Sequence, residues 1–405
     1  MTAAAATHVS LRRNRGFVVF WSAQTLSAVG DALSLVALPL LVLDTTGSVA
    51  KMGLLTAAGS IGYVVAGAFG GVVVDRFDRR RLMVGTSLLH AASYLTVPLV
   101  WLLAPQVWLL FVVVPVGAVL GMTFQVGYVA VLPALVGDDQ LTSANGALQS
   151  GLAAGGIGGS AAAGVLCAVV GPATAVGIDA ATFVVSALGV LAIRSAGSTR
   201  SSGPPHWREY VAGLRFLWAT PVLRALTILL SVQTFCTLGV TDLLIFHLRH
   251  DLGQPAPVVG YALTAATAGS LVAGLFVAQL RRRLGFTACW IGSGVLAGAA
   301  VATLGNTNSA VLVAVLAAGF VGCTTIGGTC SMSLRQEITP PHLLGRVTAA
   351  FWTSHYLLSP IGAAVLTAAA GRYSVATVCL ASGVVLAGSA LAGCGTAVGR
   401  QAQQR

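Results

Sequence analysis

The chain has 405 residues, of which 56% are hydrophobic and only 8% are charged. Because soluble domains carry about a quarter charged residues, this composition excludes an ordinary soluble protein and indicates one that lies in a membrane. The 22 Lys and Arg outnumber the 11 Asp and Glu, an excess that membrane proteins place in cytoplasmic loops, so we expect no nucleic-acid partner.

Twelve apolar stretches are long enough to cross a bilayer as helices, which takes about 20 residues each. They are residues 16–43, 52–74, 82–103, 107–135, 144–170, 173–193, 222–248, 258–280, 284–304, 310–334, 347–370 and 375–398. The sequence therefore predicts an all-α integral membrane protein with twelve transmembrane helices.

The cations alternate between the two sides of this predicted membrane. All of the 22 Lys and Arg except Lys51, Arg249 and Arg372 lie at a terminus or in every second loop, counted from the N-terminus. The positive-inside rule assigns these segments to the cytoplasm. With an Arg-, Ala- and Gly-rich composition typical of a bacterial genome, the sequence predicts a bacterial inner-membrane protein whose N- and C-termini are both cytoplasmic.

The first span contains a carboxylate at its middle. Asp31 lies halfway along residues 16–43, and Gln24 and Ser34 share its helical face. A charge at the bilayer centre costs about 2.5–3.5 kcal/mol on insertion scales, so such residues face cavities and mark functional sites. We expect Asp31 to bind substrate or to exchange protons. The alternative is that Gly30 and Asp31 support a break in the helix.

Residues 194–221 form the longest polar stretch and separate six spans from six. Its first part is rich in Ser, Gly and Pro and predicts a flexible linker. Its second part is amphipathic and predicts a helix in the inner membrane interface. We therefore expect an N-terminal half at 1–193, a linker at 194–221 and a C-terminal half at 222–405. The segment 71–81 is echoed by 274–285, as expected of two pseudo-symmetric halves.

Other titratable residues also lie within spans. Asp242 in the seventh span is predicted to act in proton coupling or at an outer gate, with Arg249 or His250 as its partner. Asp179 in the sixth span is expected to be a structural hydrogen-bond acceptor. His90 is expected to be a packing residue, whereas His355 is a stronger candidate for proton coupling because it shares a helical stripe with aromatic side chains.

Polar and aromatic side chains on several spans predict a substrate surface. Its members are Gln24, Asp31, Gln125, Tyr128, Asn145, Gln149, Gln233, Trp352, His355 and Tyr356. Aromatic rings with amides and one acid suit a bulky, amphipathic, cationic ligand. The alternative is that several of these residues only bond between helices, at about 0.6 kcal/mol each.

The loop between the second and third spans carries Gly71, Asp75, Arg76, Arg79 and Arg80. This pattern resembles the signature loop of the major facilitator superfamily. The stretch Phe20–Ser48 looks like the opening span of its drug:proton antiporter branch, which includes macrolide and siderophore exporters. The segments 207–217, 343–347 and 359–365 fit the same branch.

The resemblance implies a major facilitator fold and proton-coupled efflux of a small molecule by alternating access. It also implies a gating role at the cytoplasmic end for Gly71, Asp75, Arg76, Arg79, Arg80 and Arg346. Residues 155–164 lack the Gly-Pro pair that antiporters typically carry in the fifth span. Uptake, or transport of one narrow class of metabolite or siderophore, therefore stays the alternative.

The sequence lacks the motifs of two other functional classes, ATP-driven pumps and intramembrane enzymes. The sole lysine, Lys51, follows Ala50, so the chain has no Walker A loop and is not an ATP-driven pump. No HExxH, Gly-x-Ser-Gly or paired-Asp motif supports an intramembrane enzyme, and the seven Cys show no metal-ligand spacing. We expect a monomeric transporter that is not an enzyme, binds no cofactor, and has protons, a small molecule and the lipid bilayer as its partners.

Overall fold

The computed structural model describes residues 11–76, 78–136, 140–193, 207–340 and 343–402. The helices are α1 (Arg15–Thr46), α2 (Val49–Arg76), α3 (Arg79–Trp101), α4 (Val107–Val136), α5 (Leu141–Val169), α6 (Pro172–Leu191), α7 (Trp207–Ala219), α8 (Pro221–Thr237), α9 (Val240–Phe246), α10 (Ala256–Leu304), α11 (Ala310–Ile338), α12 (Leu344–Tyr356), α13 (Ser359–Arg372), α14 (Val375–Ala392) and α15 (Ala397–Ala402). A π-helical turn, His247–Asp251, extends α9. Within the described ranges the protein contains no strands, and the expected all-α membrane fold is confirmed.

Ten segments of the described chain are long and apolar enough to cross a membrane, compared with twelve predicted spans. One difference lies in α10, whose 49 residues contain a single non-helical residue, Gly285, with φ 79° and ψ 171°. The helix folds back at this glycine, because Val259 near its start and Leu304 at its end belong to the same core. Two predicted spans, 258–280 and 284–304, therefore lie on the two arms of α10.

The other difference lies in the predicted span 347–370, which the structure divides between α12 and α13. Pro360 stands in the first turn of α13, and a proline both lacks an N–H donor and disfavours helical conformation in the residue before it. The hydroxyl of Ser359 instead donates to the carbonyl of Tyr356 at 2.7 Å. Each part is therefore shorter than one complete span.

The two halves share one hydrophobic core at the end of the bundle where α1 connects to α2, which we call the closed end. This core joins Leu40 and Met52 of the N-terminal half to Leu243, Val259 and others of the C-terminal half. At the opposite end, which we call the open end, each half has a core of its own. Among the described residues, a buried apolar core therefore joins the halves at the closed end and not at the open end.

The separate cores at the open end are built from different helices. The N-terminal core contains Phe17, Phe20, Met83, Leu132 and Leu148. The C-terminal core contains Leu217, Leu226, Trp290, Leu334 and Phe351.

Direct contacts also join the halves at the closed end. Arg249 Nη2 donates to Asp44 Oδ1 at 3.1 Å. In α10, Gly260 lies against the backbone of Gly164 in α5. Gly53 of α2 lies against the side chain of Thr367 in α13. An ion pair and close backbone packing thus reinforce the shared core.

The predicted amphipathic helix is present as α7. Its Leu217 is fully buried in the C-terminal core, and Gly213 lies against the backbone of Arg346 in α12. Val211 and Trp218, two other apolar residues of this helix, are exposed. Part of its apolar surface therefore packs on protein. Residues 194–206 of the predicted linker lie outside the described residues, and the division of the chain at 194–221 stays a prediction.

We predict that Gly53→Ala destabilises the closed end. A methyl group at this position would overlap Thr367 Oγ1 and lie 2.5 Å from Thr367 Cβ. A β-branched threonine has little rotameric freedom to move away. Overpacking of this kind lowers the free energy of unfolding by about 1–3 kcal/mol, which a thermal unfolding curve of the detergent-purified protein measures.

Gly85→Ala is the matched control, because a methyl group there meets nothing within 4 Å. Adding Thr367→Gly to Gly53→Ala removes the obstructing side chain and should recover part of the lost stability. Equal unfolding midpoints for Gly53→Ala and Gly85→Ala would contradict the described contact.

Candidate functional site

A cavity of about 560 Å³ lies inside the N-terminal half, within the size range of small-molecule sites. The described residues that line it come from α1 to α6. Among them are six aromatic or imidazole rings, those of Tyr63, His90, Tyr94, Phe124, Tyr128 and Phe183, and two carboxylates, Asp31 and Asp179. This arrangement suits an apolar ligand that carries positive charge.

Four residues of the predicted substrate surface line this cavity: Gln24, Asp31, Gln125 and Tyr128. Gln24 Nε2 donates to the Ser186 hydroxyl of α6 at 3.0 Å, so this amide also links two helices. The Asp31 side chain is exposed to the cavity. In the described part of the chain its carboxylate accepts no hydrogen bond. Asp31 is therefore available to a proton or to a ligand.

The other predicted substrate residues do not line this cavity. Asn145 is exposed, and its amide donates to the carbonyl of Leu141 in its own helix at 3.0 Å. Gln149 is also exposed. Gln233 has a buried Nε2 without a hydrogen-bond partner among the described residues. A role for these three in substrate binding stays a prediction.

Trp352, His355 and Tyr356 form a stacked aromatic cluster on α12. The His355 ring stacks on Phe351 with centroids 5.2 Å apart, and its Nε2 lies 2.9 Å from the Thr234 hydroxyl. Trp352 and Tyr356 stack at 5.4 Å, and both are exposed. Tyr356 lies within electrostatic range of Tyr63 in the cavity wall. The exposed rings of this cluster therefore lie near the cavity of the other half.

Sequence reasoning missed Arg335, which it assigned to a cytoplasmic loop. In the structure α11 continues to Ile338, and the Arg335 side chain is buried at 3% exposure. Its guanidinium carbon lies 3.4 Å from the centre of the Phe351 ring, and Nη2 donates to Met332 Sδ at 3.1 Å. Within the described ranges, Nε and Nη1 have no hydrogen-bond partner. The sequence feature that could have indicated its burial is its position directly after the predicted span 310–334.

His90 packs as expected, between two aromatic rings. It stacks on Phe183 at 3.8 Å and contacts Tyr94 edge-on at 4.6 Å. Its Nε2 is buried without a hydrogen-bond partner among the described side chains. His90 is thus a packing residue that also forms part of the cavity wall.

Asp179 is a hydrogen-bond acceptor between helices, as expected, but it also lies beside Asp31. It accepts hydrogen bonds from Ser34 of α1 and from the Thr182 hydroxyl, the latter at 3.1 Å. It interacts electrostatically with Asp31. The contact joins positions 145 residues apart, so no local sequence pattern indicates it.

Asp242 lies at the interface between the halves, but it does not pair with Arg249 or His250 as predicted. It is buried, faces Thr56 of α2, and has one oxygen without a hydrogen-bond partner in the described chain. Arg249 instead pairs with Asp44, and His250 lies 3.1 Å from Asp251. The pairing expected for Asp242 is therefore corrected, because the π-helical turn directs Arg249 and His250 to other acids.

The predicted gating residues are only partly described. Gly71, Asp75 and Arg76 belong to the helical backbone of α2, but their side chains and surroundings lie outside the described residues. Arg79 begins α3. Arg80 donates to the carbonyls of Val190, at 3.3 Å, and Leu191, which ties α3 to the end of α6. Arg346 lies in the first turn of α12. Gating by these residues stays a prediction.

Comparison with known proteins gives consistent results. The profile of the Major Facilitator Superfamily matches residues 20–363. The multidrug efflux pump Tap of Mycolicibacterium fortuitum is 29% identical over 380 residues, which cover 90% of this chain and 91% of that protein. Macrolide efflux protein A of Streptococcus pyogenes is 27% identical over 387 residues, covering 91% and 93%.

The fold also resembles that of solved transporters. The crystal structure of the nucleoside transporter NupG superposes with a TM-score of 0.75 at 14% sequence identity. The match covers 93% of this chain and 98% of that chain. At this identity the likeness concerns the fold alone.

We predict that Arg335→Met folds at least as stably as the wild type. Methionine keeps the apolar contact with Phe351 and removes two buried donors that lack partners, and an unpaired buried polar group costs about 1–3 kcal/mol. Arg335→Ala should instead be less stable than Arg335→Met by about 2 kcal/mol or more, since it leaves a cavity. Thermal unfolding of both variants measures the difference. A methionine variant as unstable as the alanine variant would mean that the guanidinium itself stabilises the fold.

Proposed function

Because the chain belongs to the major facilitator superfamily, we propose that it is a proton-coupled exporter of a small amphipathic compound, drug-like or a secondary metabolite. The chain is a multi-pass membrane transporter of small molecules and not an enzyme, and relatives at 27–30% identity are multidrug and macrolide efflux proteins. The observation that carries the proposal is the cavity-facing Asp31 carboxylate, which accepts no hydrogen bond from the described residues.

Asp31 can couple transport to protons because a proton and a cationic substrate cannot both bind its carboxylate. A carboxylate without donors is neutralised either by a proton or by a nearby cation, and a site in low dielectric strongly favours neutralisation. The surrounding aromatic rings attract a cationic ligand and bury its apolar parts. Binding of the substrate would therefore release the proton, and return of the proton would release the substrate.

The conformation of the protein supports a state in which the exporter takes up its substrate from the open end. The halves share a core at the closed end and have separate cores at the open end. With the termini in the cytoplasm, as the positive-inside rule predicts, the open end faces the cytoplasm. An exporter in this state would collect substrate from the cell and then close the open end, with gating by the signature loop around Asp75.

The proton gradient supplies enough energy for such an exporter. One proton moving down ~100 mV yields about 2.3 kcal/mol, and one pH unit adds about 1.4 kcal/mol. Together they support a roughly 500-fold gradient of a neutral substrate per proton. Exchange of one proton for a singly charged cation moves no net charge, so only the pH difference drives it, and one pH unit supports a gradient of about 10-fold. Asp242 and His355 are the further candidates for proton exchange, and Asp242 lies where the halves must separate at the closed end.

We predict that inverted membrane vesicles with an acidic interior accumulate cationic dyes or macrolides in their lumen. The luminal side of such vesicles corresponds to the exterior of the cell, so accumulation is export against a proton influx. A protonophore should abolish it, and addition of substrate should partly collapse the proton gradient. Release of a preloaded compound under the same gradient would instead support uptake as the physiological direction.

We predict that Asp31→Asn lowers proton-driven accumulation at least 10-fold while the protein still folds and inserts, because the amide cannot carry the exchanged proton. Glu337→Gln is the matched control. Glu337 accepts from Arg281 at 2.7 Å in a partly exposed ion pair away from the cavity, and such pairs contribute at most about 1 kcal/mol. Wild-type export by Asp31→Asn would remove Asp31 from the coupling mechanism.

We predict that linking positions 44 and 249 stops transport. The ion pair of Asp44 with Arg249 joins the halves at the closed end, and alternating access requires them to separate there. Asp44→Cys/Arg249→Cys, treated with a short bifunctional maleimide, should lose transport to background in protein whose exposed Cys394 is replaced by Ser. Each single cysteine variant is the control. Full transport after complete cross-linking would exclude separation at this end.

A further inference from the structure

A second carboxylate lies next to Asp31. Asp179 has no exposed surface, and the Ser34 hydroxyl donates to one of its carboxylate oxygens. The Thr182 hydroxyl shares its hydrogen between the other carboxylate oxygen, at 3.1 Å, and the Asp179 backbone carbonyl, at 2.8 Å. The approach of α6 to α1 depends on Gly30, where a methyl group would overlap Asp179 Oδ1. The glycine beside Asp31 therefore makes room for a second acid.

The two acids have opposite surroundings. Asp31 faces the cavity and accepts no hydrogen bond from the described residues. Asp179 is buried and accepts a hydrogen bond from Ser34 and, through a shared hydrogen, one from Thr182. Hydrogen bonds to the charged form of a carboxyl favour that form. Two adjacent carboxylates in low dielectric do not both ionise easily, because like charges repel strongly there. Complete burial opposes a charge on Asp179. A proton on Asp179 would nevertheless disturb hydrogen bonds that this carboxylate accepts, whereas a proton on Asp31 disturbs none among the described residues.

No cation among the described residues balances this pair. The titratable groups that face it are His90 and Tyr94 on α3, Tyr63 on α2 and Tyr128 on α4. None of them makes a hydrogen bond to either carboxylate, and His90 Nε2 has no partner in the described chain. The fifth helix, α5, contains no charged residue. A proton or a cationic ligand is therefore needed to neutralise one of the two carboxylates.

We propose that Asp179 is a positioning residue that makes Asp31 keep its proton until a cationic substrate enters the cavity. The proposal rests on the proposed proton exchange at Asp31 and goes beyond it, because it gives the two acids different roles. Asp179 remains ionised and bound to Ser34 and Thr182 throughout. Asp31 alternates between one proton and one positive charge on the substrate, so each cycle exchanges one for the other.

The test is the pH dependence of binding of rhodamine 6G, a permanently cationic dye, to the full-length purified protein, followed by fluorescence anisotropy. In the wild type, dye affinity should rise with pH through one transition as Asp31 loses its proton. In Asp179→Asn the neighbouring negative charge is gone, so Asp31 loses its proton more readily. The midpoint should therefore move to lower pH by about one pH unit or more. Asp31→Asn should show no transition at all.

Ser34→Ala provides a second variant that keeps both carboxyl groups. Without this donor Asp179 holds its negative charge less firmly and takes part of the proton, which also eases ionisation of Asp31. The midpoint should again move to lower pH, by less than in Asp179→Asn. Ser382→Ala in α14 is the matched control, because the Ser382 hydroxyl is buried without a partner among the described residues and lies away from the cavity.

The outcomes separate the two proposals. Wild-type midpoints in both Asp179→Asn and Ser34→Ala would overturn the positioning role even if Asp31→Asn abolishes proton-driven export. A transition that persists in Asp31→Asn would also overturn it, since another group would then carry the proton. If Asp179→Asn does not fold, Ser34→Ala decides alone. Absence of proton-driven export by the wild type would instead refute the proposed function.

Discussion

A carboxylate in the middle of a membrane-spanning helix cannot face lipid, and the position of α1 follows from this constraint. Asp31 requires protein on all sides of α1 together with a polar space in front of it. The first helix accordingly packs against α5 and α6, and its polar face lines the cavity of the N-terminal half. Beyond Asp31 the same helix becomes apolar and enters the core that both halves share. One helix thus links the candidate site to the contact between the halves.

The two predicted halves contribute different chemistry. The N-terminal half supplies two acids and an aromatic-walled cavity. The C-terminal half supplies a stack of Arg335, Phe351 and His355, with the exposed rings of Trp352 and Tyr356 beside it. A cationic substrate near Asp31 would meet the aromatic rings of α12 as the halves approach each other. Arg335 would disfavour a second positive charge there.

Hydropathy and helical periodicity predicted the elements of the fold and part of the site, because both depend on residues close together in the chain. A polar residue inside an apolar helix faces a cavity or another helix rather than lipid. The residues that line the cavity for this reason are Asp31, Gln24, Gln125 and Tyr128. The pairing of Ser34 with Asp179 could not be predicted, since it depends on how α1 crosses α6. Arg335 was missed for a related reason, because a cation at the end of a span also suits a loop.

The fold-back of α10 at Gly285 bears on how the C-terminal half can move. One residue interrupts the helical geometry of 49 residues, so no flexible loop separates the two arms. The first arm contacts α5 of the other half at Gly260 and α11 at Gly269, while the second contacts α14 at Gly298. A displacement of the first arm against α5 is therefore passed directly to the helices behind it. The α10 hairpin thus connects α5 to both α11 and α14, and Gly285 is the position at which its backbone can bend.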